Sequence, residues 1–459
     1  MRITMKRIDF ENGNIVSNIL KAALPMLVAQ IMSLLYNIVD RVYIARIPDV
    51  GTTALGAVGL CFPIIVIITA FSNLFGTGGA PIFSIERGKG NHEKAGLLMN
   101  TSFTLLALCA VILMIAGLLF ARPILVLFGA SDAGLAYAYP YLMIYLLGTF
   151  PSMAATGMNP FINAQGYATT GMTSVIVGAV ANLLLDPLFI FGFGWGIKGA
   201  AWATVIGQIV SGFLVIVYFC KFRKMYLTGA MLKPKLSYLK AIVSLGMASC
   251  INQIAMAVVQ IVLNNILRYY GGNSVYGSDI PIACVGVISK VNMVFMAICI
   301  GISQGSQPIW GFNYGAQKYD RVRQTYRYSV TACTVIATIF FACFQLFPHQ
   351  IVSIFGTGSD LYFQFAERYL KIFMFMTFAN GIQPMSSCFF TSIGMAKLGI
   401  VMSMTRQVIF LLPLIIIFPL FMGIDGVMYA GPIADAAAFV LAIVFARREL
   451  AKMRRAEVI

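Results

Sequence analysis

Charge is scarce in this chain: 10% of its 459 residues are charged, and only 16 are acidic, against 32 Lys and Arg. A soluble domain carries about 25% charged residues, so a water-surrounded globule is excluded. Histidine is nearly missing, with two residues, and the nine cysteines are scattered without a Cys-x-x-Cys pair. No disulfide framework or zinc site follows from such spacing. His92 falls in a polar loop and His349 near a span end, neither with a Cys or acid at catalytic or metal spacing, so no enzyme is expected. The Gly-x-x-x-x-Gly-Lys-Ser/Thr loop of nucleotide-driven pumps is lacking as well.

What the chain has is grease. Hydrophobic residues make up 59%, and the mean hydropathy is +0.86. Apolar stretches recur near 18–40, 54–80, 97–121, 136–160, 170–192 and 199–220, then near 239–268, 281–306, 328–347, 364–390, 398–421 and 427–446. Each approaches the roughly 20 residues that cross a bilayer core as a helix. The runs are continuously apolar rather than alternating, which favours helices over a membrane barrel. The expected fold class is therefore an all-α polytopic membrane protein with about twelve transmembrane helices. Residues 1–14 are polar and charged, and no cleavable signal peptide is expected there.

The basic residues gather on one side of this pattern. Arg2, Lys6 and Arg7, the 221–240 segment, Lys318 to Arg327, and Arg447 to Arg455 all fall on the side that holds both ends, which the positive-inside rule assigns to the cytoplasm. Orientation and contact with the anionic lipid bilayer account for the net charge of +16. No nucleic-acid partner is expected.

The chain also repeats itself. Gly78, Pro81, Ile82 and Gly88 recur as Gly305, Pro308, Ile309 and Gly315, an offset of 227, and Phe161 and Gly166 recur as Phe389 and Gly394 at 228. Two pseudo-symmetric six-helix lobes with a central cleft are expected: 1–220 as N-terminal lobe, 221–240 as basic cytoplasmic linker and 241–459 as C-terminal lobe. Helix halves with the same orientation place the pseudo-symmetry axis along the membrane normal, an architecture of secondary transporters.

Acids inside apolar spans are costly unless paired, solvated or protonated, and they mark function by default. Three stand out: Asp40, Asp186 and Asp435. In the first span Gln30, Ser33, Asn37 and Asp40 are spaced 3, 4 and 3 apart, one helical face. Asn182 and Asp186 are four apart, so the amide can donate to the carboxylate, and Thr204 and Gln208 share a face in the sixth span. Oxygen-rich groups around acids suit a proton or a hard cation such as Na+. The second half repeats the polar stripe as Gln253, Gln260 and Asn264, without an acid. Asp435 has Lys290 as the one base deep in a span of its half, so a structural pair between them competes with a functional role. Arg41 follows Asp40 directly; neighbours on a helix do not face each other, and Arg41 is expected to turn to the outer surface.

These residues resemble the multidrug and toxic compound extrusion (MATE) transporters, of the bacterial clostridial and staphylococcal type, over essentially the whole chain. The likeness rests on Asn37-Ile38-Val39-Asp40, the repeated Gly-x-x-Pro-Ile loop, Asn182-Leu183-Leu184-Leu185-Asp186-Pro187, and Gly196-Ile197-Lys198-Gly199-Ala200-Ala201-Trp202-Ala203-Thr204. The resemblance implies export of cationic amphipathic compounds in exchange for H+ or Na+, without a cofactor, by a multi-pass monomer in a bacterial inner membrane. It also implies a first-lobe cation site at Asp40, Asn159, Asn182, Asp186 and Thr204, and no metal beyond Na+. Family members with acids on helices 7 and 10 differ from this chain, which has Gln253 to Asn264 and Asn380 to Gln383 there, so a second-lobe sodium site is not expected. Pro25 is the expected weak point of helix 1, since proline removes a backbone hydrogen bond. With 25 Met and 35 Phe, the cleft is expected to be apolar, adaptable and mildly negative. A flippase for lipid-linked or other amphipathic substrates, and a passive channel, are the alternatives.

Overall fold

The computed structural model describes residues 7–221, 236–354 and 359–456. Helices account for nearly all of them, and no strand occurs among the described residues. In chain order they are α1 (Ile15–Ala45), α2 (Gly51–Gly88), α3 (His92–Leu127), α4 (Asp132–Leu147), α5 (Thr149–Ala164), α6 (Ala168–Pro187) and α7 (Gly196–Lys221). Then follow α8 (Leu236–Gly272), α9 (Asp279–Gly315), α10 (Tyr319–Leu346), α11 (Pro348–Ser353), α12 (Asp360–Phe373), α13 (Thr377–Asn380), α14 (Ile382–Ser392), α15 (Ala396–Met404), α16 (Leu412–Met422) and α17 (Ile424–Ala456). Two π-helical turns, Leu188–Gly192 and Thr405–Leu411, extend α6 and α15. The greater part of the expected linker, 222–235, lies outside the described residues.

Ten of these helices are long and apolar enough to cross a membrane. The two remaining expected spans are broken, and at equivalent places. In the first lobe α4 gives way to α5 at Gly148, where Thr149 Oγ1 donates to Leu146 O at 2.7 Å. In the second, α12 gives way to α13 where Thr377 Oγ1 donates to Met374 O at 2.6 Å. Thr149 and Thr377 are 228 residues apart, the offset already seen for Gly166 and Gly394. A hydroxyl that bonds back to the preceding turn bends a helix, so the repeat preserves a bend as well as a sequence. Gly166 (φ +93°) and Gly394 (φ +83°) then end the two spans in the left-handed conformation that glycine tolerates.

Helices α1 to α7 pack among themselves, chiefly α1 on α6, α6 on α7 and α2 on α3 and α5. Likewise α9 packs on α10, α14 on α15 and α16 on α17. Between the lobes, α2 lies along α8 and α1 along α9. Small residues let backbones approach where no water drives helices together. A Cβ on Gly88 would land on the carbonyl oxygen of Phe312, and one on Gly315 would land on that of Ile85. Both pairs are related by the 227-residue offset, so the ends of α2 and α9 cross reciprocally around the pseudo-symmetry axis.

The first residues tie this end together. Ile8 N donates to Gly166 O of the first lobe at 3.0 Å. Phe10 O accepts from Asn313 Nδ2 of the second at 3.0 Å, and Gly13 O from Arg321 Nη2 at 2.6 Å. Glu11 adds a salt bridge to Lys318. The lobes are therefore closed against each other at the end that bears both termini.

Candidate functional site

Above that seal a cavity of about 640 Å³ opens between the lobes. Its floor is bridged by Gln30 Nε2, which donates to Gln304 Oε1 at 3.1 Å, and by Thr77 Oγ1, which donates to Ser249 Oγ at 2.9 Å. The polar face of α1 lines it, with Gln30, Ser33, Asn37 and Asp40 all on the wall. The period of the stripe thus identifies the face that avoids lipid.

Asp40 is 8% exposed and Asp186 fully buried. Their carboxyl groups meet across the contact of α1 with α6. Asn182 Nδ2 donates to Asp186 Oδ1 at 3.5 Å and lies 3.4 Å from Thr204 Oγ1, whose own hydroxyl donates to Ala200 O. Asp40 and Asn182 line the cavity while Asp186 stands one layer behind them. Three oxygens of the group have no protein partner: Asp40 Oδ1, Asn182 Oδ1 and Asp186 Oδ2. Neither acid forms a salt bridge among the described residues. Arg41 is exposed, and its guanidinium lies over the Phe62 ring at 5.7 Å. A cluster with more acceptors than donors is the arrangement a proton or a hard cation completes.

The other expected first-lobe ligand is engaged elsewhere. Asn159 Nδ2 donates to Gly171 O at 3.0 Å and to Ser174 Oγ at 3.3 Å, and Asn159 Oδ1 accepts from Asn163. Asn159 lines the cavity but makes no hydrogen bond to Asp40 or Asp186. Pro25 sits within α1 near the cavity floor.

The second-lobe group comes apart in the structure. Gln253 lines the cavity, whereas Gln260 donates to Asn264 at 3.0 Å on an exposed face. Lys290 is exposed and forms no salt bridge among the described residues. Asp435 pairs instead with Arg406, Nε to Oδ1 at 2.5 Å, the two side chains only 7% and 2% exposed. The expected pairing with Lys290 is thereby corrected. Arg406 is buried within the π-helical turn Thr405–Leu411, a change of period that the sequence does not register; the residue reads as a span-end base. His349 is exposed, as its place near a span end suggests, and bonds Glu367 Oε1 at 2.7 Å while packing on the Phe363 ring.

Few of the Met and Phe residues that suggested an apolar, adaptable cleft line it. Among the described residues, Met26 and Phe62 are the sole ones of those types on it, and Asp40 and Arg41 the sole charges. Twelve carboxamides line it instead, among them Asn73, Gln304, Gln307 and Gln383, which the sequence reading did not single out as site residues. Their signal was available: Gln304 and Gln307 are amides inside an otherwise apolar span just before Pro308.

The sequence profile of the MatE family matches residues 25–188 and again 248–417, one match in each lobe. Among curated proteins, the multidrug export protein MepA of Staphylococcus haemolyticus (strain JCSC1435) is 25% identical over 453 residues, covering 98% of both chains. MepA of Staphylococcus aureus (strain MSSA476) is 24% identical, covering 93% of this chain and 92% of its own. Among solved structures, the outward-facing conformation of a multidrug resistance MATE family transporter of the MOP superfamily superimposes with a TM-score of 0.90 at 21% identity, covering 98% of this chain and 99% of that one. At that identity the structural likeness is one of fold.

Proposed function

The chain belongs to the MATE family of transporters, and on that premise we propose that it is a multidrug exporter driven by exchange for H+ or Na+. The observation that carries the exchange reading is the acceptor cluster of the first lobe: Asp40 and Asp186 facing each other, with Asp40 Oδ1, Asn182 Oδ1 and Asp186 Oδ2 unpartnered and no base paired to either acid among the described residues. Two like charges at one site cannot both persist without a counter-charge. One bound proton or sodium ion relieves them, and its departure restores the repulsion.

Coupling then follows from linkage. Ion binding changes how α1 sits against α6, and α1 also forms one wall of the cavity. If ion and exported compound favour different arrangements of α1, each lowers the affinity of the other by the same factor. The seal between α2 and α9, with the cavity open above it, supports alternating access over a passive channel. Pro25 is the point at which α1 would bend, because it lacks the hydrogen bond that holds a helix straight.

The test is uphill transport in proteoliposomes with a panel of neutral and cationic fluorophores, first under a pH gradient and then under a sodium gradient. Export that appears with one gradient and stops when it is collapsed is the expected result. Equal downhill flux in both directions, indifferent to either gradient, would mark a channel.

A further inference from the structure

We propose that the cavity is built for an uncharged amphipath whose polar part is a run of hydroxyl or amide groups, rather than for the organic cation that the family resemblance implies. This inference deepens the exporter reading, and rests on it for the direction of transport though not for binding.

Ligand pockets are mostly apolar with a few placed polar groups. Here twelve carboxamides line a cavity of about 640 Å³, together with three tyrosines, Tyr36, Tyr141 and Tyr145. Three of those amides, Asn73 on α2, Gln253 on α8 and Gln307 on α9, donate no side-chain hydrogen bond to the protein and accept none among the described residues. Gln383 spends its amide N–H on Met402 O, which leaves its carbonyl to the cavity. Free amides therefore stand on both lobes. Each presents a donor and an acceptor side by side on one plane, the pattern that a vicinal diol or a peptide group complements.

Charge argues in the same direction. On the lining the charges among the described residues are Arg41 and Asp40, the latter part of the coupling-ion site with Asp186, and the second-lobe wall carries no Asp, Glu, Lys or Arg among the described residues. A permanent cation seated against that wall would give up hydration for dipoles alone. A site built to hydrogen-bond also rejects compounds that lack the matching groups, because its own polar groups would be left unpaired. A lipophilic cation, with fewer hydrogen-bonding groups than a glycoside or a peptide, is disfavoured on that ground too.

Equilibrium binding to the detergent-solubilised full chain tests this without any gradient. The probes are 4-methylumbelliferyl glucoside as the neutral glycoside, an N-acetyl dipeptide coumarylamide as the neutral amide, and ethidium as the permanent cation. At least one neutral probe should bind more tightly than ethidium, and which of the two does so separates the hydroxyl from the amide source. Gln253→Leu should weaken that probe roughly three- to tenfold, the loss of one hydrogen-bonding group, and leave ethidium unchanged. Gln253 is half-buried on the cavity wall, so Leu is accommodated there. Gln253→Glu should shift the preference toward ethidium. Tighter binding of ethidium by the wild type, or neutral binding indifferent to Gln253→Leu, overturns the proposal. A neutral preference in a protein that no gradient drives would instead overturn the exchanger reading alone.

Discussion

Arg406 Nε lies 2.5 Å from Asp435 Oδ1 in the interior of the second lobe, where neither side chain lines the cavity. The 227-residue offset puts Gln208 opposite Asp435 and Ala179 opposite Arg406. The repeat thus holds a neutral pair of positions in one lobe and a charged pair in the other. The second lobe carries its own fixed cation paired to its acid, while the acids of the first form no salt bridge among the described residues.

Removing one partner of a buried ion pair strands the other. Arg406→Ala should cost about 3–5 kcal/mol of stability, whereas the apolar double replacement Arg406→Met with Asp435→Leu should be close to neutral. Thermal unfolding in detergent reads both. Lys290→Ala, at an exposed residue without a salt bridge among the described ones, should leave Tm unchanged.

The seal at the termini-bearing end depends on two glycines. Gly88→Val places carbon on the Phe312 carbonyl and Gly315→Val on that of Ile85, so each should part α2 from α9. A maleimide added from that side should label a cysteine introduced at Thr77 faster in either variant than with the native glycines. Because the two contacts are reciprocal, the two variants should act alike.

The bends at Thr149 and Thr377 form a matched pair. Thr149→Ala and Thr377→Ala each delete one buried hydrogen bond to the preceding turn, a loss of about 1 kcal/mol. Serine at either position should restore the wild-type Tm, since it keeps the hydroxyl.

Among the described residues, Thr204 is joined to the acids only through Asn182. Thr204→Val should therefore raise the ion concentration needed for half-maximal export several-fold while preserving export at saturation. The half-saturation point of sodium- or proton-driven transport measures this.

Much of this protein is legible in its sequence. The runs of apolar residues give the spans, the 227-residue repeat gives the two halves, and the spacing of Gln30, Ser33, Asn37 and Asp40 gives the face of α1 that lines the cavity. Asn182 reaches Asp186 as a four-residue separation on a helix requires. What periodicity cannot give is anything that changes the period. Arg406 is buried within a π-helical turn, and periodicity alone does not find it as the partner of Asp435. Composition misled for a different reason: most Met and Phe face lipid or fill the bundle interiors, and the cavity wall is made from the minority of amides.

The central claim is that the Asp40 and Asp186 carboxyls exchange the coupling ion. It is tested most directly by Asp186→Asn in proteoliposomes, with wild-type and variant protein inserted in equal amounts and export followed under the gradient that drives the wild type. The account predicts a folded, inserted variant whose gradient-driven export is lost; export at the wild-type rate would contradict it.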